Sequence, residues 1–215
     1  MKSNVLGLFA VPLYRSSIDP LDPITLNRLF NFEYEKSSYD QDIITHKETA
    51  ERHLLDRPEF AGLKKSLQAK IDEYAYEYLG TDKNLSWQIT TSWVNKAEPG
   101  GYHAAHVHSN SLLSGVLYLK TNPKSGAICF YKNSAYHTLF TQTVNVDFDK
   151  TTDWNMESIG LTPKDFDVLI FPSTLSHSVM SNDSQEDRYS LAFNIFPVGT
   201  VAVGSNSELT IGRKI

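Results

Sequence analysis

The feature that most narrows the fold is a series of short β-branched and aromatic runs that begins after Gly80. They are Trp87 to Lys96, Tyr102 to His108, Leu112 to Lys120, Ala127 to Tyr131, Thr141 to Phe148, Val168 to Phe171 and Tyr189 to Phe196. Turn residues such as Pro123, Gly126 and Pro172 separate them. Strands this short and this closely spaced predict a sandwich or jelly roll. Upstream the pattern differs. Val5 to Ile18 reads as extended, and Asp19-Pro20 and Asp22-Pro23 punctuate the chain before a helix predicted from about Ile24 to Tyr34. Tyr34 to His53 is polar and unpatterned and reads as a loop. From Arg57 to Leu79, apolar Phe60, Leu63, Leu67, Ile71, Tyr74 and Tyr78 recur at spacings of three and four, and Gly80 closes the helix they imply.

The expected fold is mainly β, of α+β type, with two N-terminal helices on the outer face of the jelly roll. A length of 215 residues suits one domain. Its expected parts are a strand and supporting helices over 1–85, the β core over 86–200 and a C-terminal extension over 201–215. Apolar residues at 40% and charged residues at 21% exclude a disordered, collagen-like or coiled-coil chain. Lys and Arg number 20 against 25 Asp and Glu, a net charge of −5, so there is no general basic field for nucleic acid as a primary partner. The single cysteine, Cys129, makes an intramolecular disulfide impossible and a thiolate zinc site implausible, which suits the cytoplasm. Val5 to Tyr14 contains Pro12 and lacks a following cleavage motif, so it reads as a mature strand. No apolar run approaches the roughly 20 residues that span a bilayer, and no membrane partner is expected.

Histidines carry the functional signal. His106 and His108 lie two apart, so on a strand they share a face, whereas His103, three residues from His106, points the other way. An isolated His-x-His pair is most simply two hydrogen-bonded, half-buried side chains. A third imidazole, His177, follows the strand Leu169 to Phe171 and can return beside the His106 strand. Three imidazoles that leave open positions form a catalytic rather than a structural metal site.

Further along, alternation puts Arg188, Ser190, Ala192 and Asn194 on one face and Tyr189, Leu191, Phe193 and Ile195 on the core face. Arg188 with Ser190 can bind a carboxylate through a fork of N–H donors and a hydroxyl. The ordinary alternative is a surface salt bridge with Asp187 or Glu186. Tyr118 shares a face with Ser114 and Val116, so its hydroxyl can join that carboxylate site or simply cap a backbone carbonyl in the core. The segment Asp147 to Asp165 reads as an irregular acidic insertion, a solvated loop or a lid; its carboxylate spacing does not match a calcium loop.

Taken in order, His106-x-His108, Leu117-Tyr118-Leu119, Ser125-Gly126 before Phe130, Phe171-Pro172-Ser173 with His177, and Arg188-x-Ser190 resemble the double-stranded β-helix oxygenases that use Fe(II) and 2-oxoglutarate. The likeness is to the prolyl-hydroxylase-like branch, covers roughly Trp87 to Pro197 and is more specific in combination than in any single motif. It implies a double-stranded β-helix and a dioxygenase that hydroxylates an unidentified substrate with O₂. It also implies that His106 and His177 are iron ligands, that Arg188 and Ser190 clamp the distal carboxylate of 2-oxoglutarate, that Tyr118 is a third contact, and that Asn95 touches the keto-acid end. The chain departs from the pattern at His108, where most of the superfamily carries Asp or Glu. His108 is then either the third ligand or an outer group, and three neutral imidazoles suit copper, nickel and zinc as well as iron. Two other readings stay open: a cupin-like three-histidine metalloenzyme that needs no 2-oxoglutarate, and a non-catalytic jelly-roll binding module.

Overall fold

The computed structural model describes residues 10–36, 46–132 and 146–212. In chain order its elements are β1 (Tyr14–Ser17), α1 (Pro23–Phe30), β2 (Tyr34–Lys36), β3 (His46–Thr49), α2 (Ala61–Asp72), β4 (Ser86–Ala97), β5 (His103–His106), β6 (Leu113–Lys120), β7 (Ile128–Tyr131), β8 (Ser158–Leu161), β9 (Asp167–Pro172), β10 (His177–Val179), β11 (Arg188–Val201) and β12 (Leu209–Ile211). They pair antiparallel into two sheets. The larger runs β1-β9-β6-β11-β4-β3-β2, with β12 against the far end of β11, and the smaller runs β5-β10-β7-β8. This is the jelly roll expected from the strand series, in the double-stranded β-helix form that the resemblance implies.

Three layers result from which residues each face buries. Leu191, Phe193 and Ile195 of β11, Val94 of β4 and Ile170 of β9 pack toward Leu63, Leu67 and Ile71 of α2. The opposite face of the large sheet carries Val116, Tyr118, Leu169 and Phe171, which meet Ile128 and Phe130 of the small sheet. Phe130 and Phe171 stand edge to face with ring centroids 5.0 Å apart, so aromatic packing closes the interior between the sheets. Gly115 on β6 admits the Phe193 ring where any Cβ would collide with it.

The helices follow local chemistry. Asp22 caps α1 by accepting from the Ile24 and Thr25 amides, each at 3.0 Å, with Pro23 in the first turn. The helix is shorter than its pattern predicts. It ends at Phe30, and Tyr34 enters β2, donating its hydroxyl to the Leu29 carbonyl at 2.7 Å. Helical turns at Leu54–Asp56 and Pro58–Phe60 lead into α2. After Asp72 the helix widens into a π-helical segment, Glu73–Tyr78, marked by the Leu79 amide bonding back to the Tyr74 carbonyl at 2.9 Å. The widened turn shifts the buried stripe. Ala75 is buried, and Tyr78, expected in the stripe, is 69% exposed. Gly80 ends the segment at φ 64°.

Other departures concern edges. The predicted loop Tyr34 to His53 contains β2 and β3, which pair with each other and extend the large sheet beyond β4. The predicted insertion Asp147 to Asp165 contains β8, which pairs with β7 at the edge of the small sheet. β2 and β8 are edge strands with a backbone neighbour on one side only and no buried apolar face, and β3 buries His46, Glu48 and Thr49 rather than apolar groups, so the strand pattern is weak in each. Of the strand predicted from Val5, Val5 to Phe9 lie outside the described residues, as do Thr141 to Asn145 of the run to Phe148; Val146 to Phe148 are irregular. No helix among the described residues is long and apolar enough to cross a membrane.

Candidate active site

Strands β5 and β10 and the segment after β5 bring a cluster of imidazoles together. β10 lies between β5 and β7, and the register pairs His177 with His106 on one side and with Phe130 on the other. His108 lies just past the end of β5. Its backbone amide donates to the Ser173 carbonyl at 3.0 Å, which ties it to the turn that follows β9. The Ser173 hydroxyl is bonded to those of Ser114 and Ser111 at 2.8 and 2.9 Å, so that turn is itself anchored to β6. One ligand atom from each of His106, His108 and His177 lies within 4.8 Å of the others. The rings of His106 and His177 are 4.3 Å apart, and those of His108 and His177 are stacked at 5.2 Å.

Hydrogen bonding fixes two of the tautomers. Nδ1 of His106 lies 2.8 Å from the Ala104 carbonyl and Nδ1 of His177 lies 3.0 Å from the Leu175 carbonyl. A carbonyl can only accept, so each Nδ1 holds the proton and each Nε2 presents a lone pair. The lone pair of His177 Nε2 faces Nε2 of His108 at 3.4 Å. Nitrogen acceptors gathered in this way fit a divalent cation, with the Nδ1–H bonds orienting the rings. Burial, followed by the neighbouring His106, holds His177 down to about 3 and His108 to about 4. Burial also lowers His106. All three imidazoles are therefore neutral near pH 7, the state that can ligate.

On the large sheet, one cross-strand row holds the polar candidates. Ser190 of β11 lies opposite Asn95 of β4 and Tyr118 of β6. The Trp93 indole donates to Asn95 Oδ1 at 3.0 Å. Arg188 begins β11 and is only 4% exposed, which excludes the surface salt bridge. Asp187 pairs with Lys96 at 2.9 Å and Glu186 with Lys120 at 3.0 Å instead. Nη1 of Arg188 donates to the Ser125 carbonyl at 2.6 Å, and no carboxylate among the described residues forms an ion pair with it. Burial lowers the Arg188 guanidinium and raises the Tyr118 phenol, each partly offset by the other. A buried cation with no anionic partner beside a buried hydroxyl suits an incoming carboxylate.

His103 does not point away from the cluster. Its ring stacks on His106 at 3.9 Å and 19°. The cause is a bulge: β10 advances two residues from His177 to Val179 while β5 advances three from His106 to His103. The extra residue restores His103 to the His106 side. Two residues of β3 were not singled out by sequence. His46 is 2% exposed and lies against His103 at 4.3 Å, and Glu48 lies opposite Asn95 in the polar row. The signal for both was the alternation His46-x-Glu48, too short to stand out in a polar stretch.

The jelly roll thus carries three clustered imidazoles and a buried arginine without a carboxylate partner among the described residues. Residues 91–194 match the family described as "Putative 2OG-Fe(II) oxygenase". Fe(II) and 2-oxoglutarate are the metal and co-substrate of that family. The solved structures it resembles share the fold. The non-heme alpha ketoglutarate dependent epimerase SnoN from nogalamycin biosynthesis has 12% identity, covers 95% of this chain and 91% of its own, and superposes with a TM-score of 0.63. HygX from Streptomyces hygroscopicus, solved with nickel, 2-oxoglutarate and hygromycin B bound, has 11% identity, coverages of 86% and 82%, and a TM-score of 0.56. A Pseudomonas putida prolyl-4-hydroxylase has 14% identity, coverages of 86% and 92%, and a TM-score of 0.52. No curated protein matches the sequence.

Proposed function

We propose that this chain hydroxylates a C–H bond of its substrate, with His106, His108 and His177 holding Fe(II) and Arg188, Ser190 and Tyr118 holding the distal carboxylate of 2-oxoglutarate. The observation that carries this reading is the buried Arg188 without a carboxylate partner, beside Tyr118, whose apolar cluster includes the Phe130 and Phe171 rings that pack on His177. Bound Fe(II), with 2-oxoglutarate and O₂, supplies oxidation of a substrate C–H bond to C–OH coupled to conversion of the keto acid to succinate and CO₂. The residues of the chain orient and exclude water. Arg188 and Tyr118 neutralise and bond the far carboxylate, and Asn95, opposite Ser190, flanks the keto-acid end. Phe171 and Phe130, at 4.7 and 6.0 Å from the His177 ring, form a dry wall behind the metal ligands.

Three neutral imidazoles offset none of the charge of the metal, so the metal-side carboxylate of the keto acid should make metal and keto acid bind with mutual reinforcement. The keto-acid-free reading provides no anion for Arg188. Cys129 is free in the structure, and a cytoplasmic location accords with a lone thiol. The net charge of −5 argues against nucleic acid as the primary partner. The test is anaerobic titration of the protein with Fe(II) and then 2-oxoglutarate. A visible charge-transfer band on adding the keto acid is expected; good metal occupancy without that band overturns the reading.

A further inference from the structure

We propose that His103 and His46 are positioning residues for His106: a column of packed imidazoles, anchored at its far end by the Glu48–Arg52 ion pair, holds the His106 ring at the tilt that presents Nε2 to the metal. This rests on the reading of His106 as a metal ligand and adds to it a set of residues on β3 and β5 that have no role in binding 2-oxoglutarate.

The column is continuous. Nη1 of Arg52 lies 2.9 Å from Glu48 Oε2. The other carboxylate oxygen, Oε1, is 3.2 Å from His46 Nε2. The His46 ring lies on His103 at 4.3 Å, and His103 stacks on His106 at 3.9 Å. An ion-paired carboxylate accepts and does not donate, so the His46 proton is on Nε2 and the orientation of the ring is set by Glu48. Nδ1 of His46 is buried with no hydrogen-bond partner among the described residues. The ring therefore joins the Glu48 anchor, through its Nε2, to the face of His103. The bulge in β5 points the same way, because a regular strand would turn His103 out of the column.

The column also answers a geometric need. The bond from His106 Nδ1 to the Ala104 carbonyl fixes one nitrogen of the ring but leaves its plane free to tilt. Packing His103 flat against one face removes that freedom, with His46 buried behind it.

The experiment measures Ni(II) binding to the metal-free full chain by calorimetry, together with the thermal midpoint of each metal-free protein. His103→Leu removes the flat ring, His103→Phe restores one, and His46→Phe keeps a ring while deleting the donor to Glu48. His103→Leu and His46→Phe are expected to weaken Ni(II) binding about tenfold or more, with His103→Phe within about threefold of wild type. Midpoints of the metal-free proteins should stay close to the wild-type value, which a purely structural role would not allow. Wild-type Ni(II) affinity in His103→Leu, or equal weakening in His103→Phe, overturns the column. If His103→Leu does not fold, His46→Phe decides, and unchanged affinity there overturns it. Failure of the ligand reading looks different: His106→Ala would then bind Ni(II) as tightly as wild type.

Discussion

Arg188 Nη1 donates to the carbonyl of Ser125 at 2.6 Å, joining two residues 63 positions apart. That bond holds the guanidinium from one side and leaves its remaining donors for an anion. Arg188→Ala should therefore raise the 2-oxoglutarate requirement by roughly tenfold or more without changing metal content. Keto-acid titration followed by metal analysis checks both halves, and an unchanged requirement would remove Arg188 from the clamp.

The carbonyl that meets Arg188 depends on the next residue. Gly126 has φ 90°, and a Cβ there would run into the Met180 carbonyl. Gly126→Ala should destabilise the protein by about 1–3 kcal/mol through backbone strain and overlap. It should also weaken 2-oxoglutarate binding by shifting Ser125. Urea unfolding and keto-acid affinity report the two effects separately.

His177 sits between two strands of the small sheet, and its Nε2 faces that of His108. His177→Ala should lower metal affinity about 100-fold, the upper end of what loss of an oriented ligand or its partner produces. His108→Asp, which supplies the carboxylate that the wider superfamily carries, should keep metal affinity within about tenfold of wild type. Calorimetric titration with Fe(II) under anaerobic conditions measures both.

Metal-free protein should lose stability on mild acidification. His108 and His177 are held down at about 4 and about 3, and His103 to about 2, mainly by burial. In the unfolded chain these imidazoles titrate near 6.5. At pH 7 neither state binds the extra protons and stability is complete. Below about pH 6.5 the unfolded chain takes up protons that the folded one refuses, and each histidine subtracts up to about 1.4 kcal/mol per pH unit. The loss continues until the pH reaches the folded values. Urea midpoints from pH 7.5 to 4.5 should fall steadily below 6.5, and less steeply in His103→Phe; a flat profile contradicts the burial of these groups.

Legibility in the sequence followed what each residue has to satisfy. The central strands β6, β9 and β11 bury apolar side chains on both faces or alternate cleanly, so the runs Leu112 to Lys120 and Val168 to Phe171 stand out, as do the two faces of β11. His106 and His177 were visible through spacing and context. His103 was misread because a bulge is a local change of period that composition does not announce. His46 and Glu48 were missed for another reason. They lie on β3, near the edge of the large sheet and within a stretch assigned to a loop, and their strand buries polar groups rather than an apolar face. Tyr78 was misplaced because a π-helical turn slips the helical stripe by one residue.

The most direct test of the account is a crystal structure of the protein grown anaerobically with Ni(II) and 2-oxoglutarate. The account predicts one Ni(II) bound by Nε2 of His106, His108 and His177 at about 2.1 Å, with the distal carboxylate of the keto acid on Arg188. A metal ion bound elsewhere, or one held without His106 or His177, contradicts it.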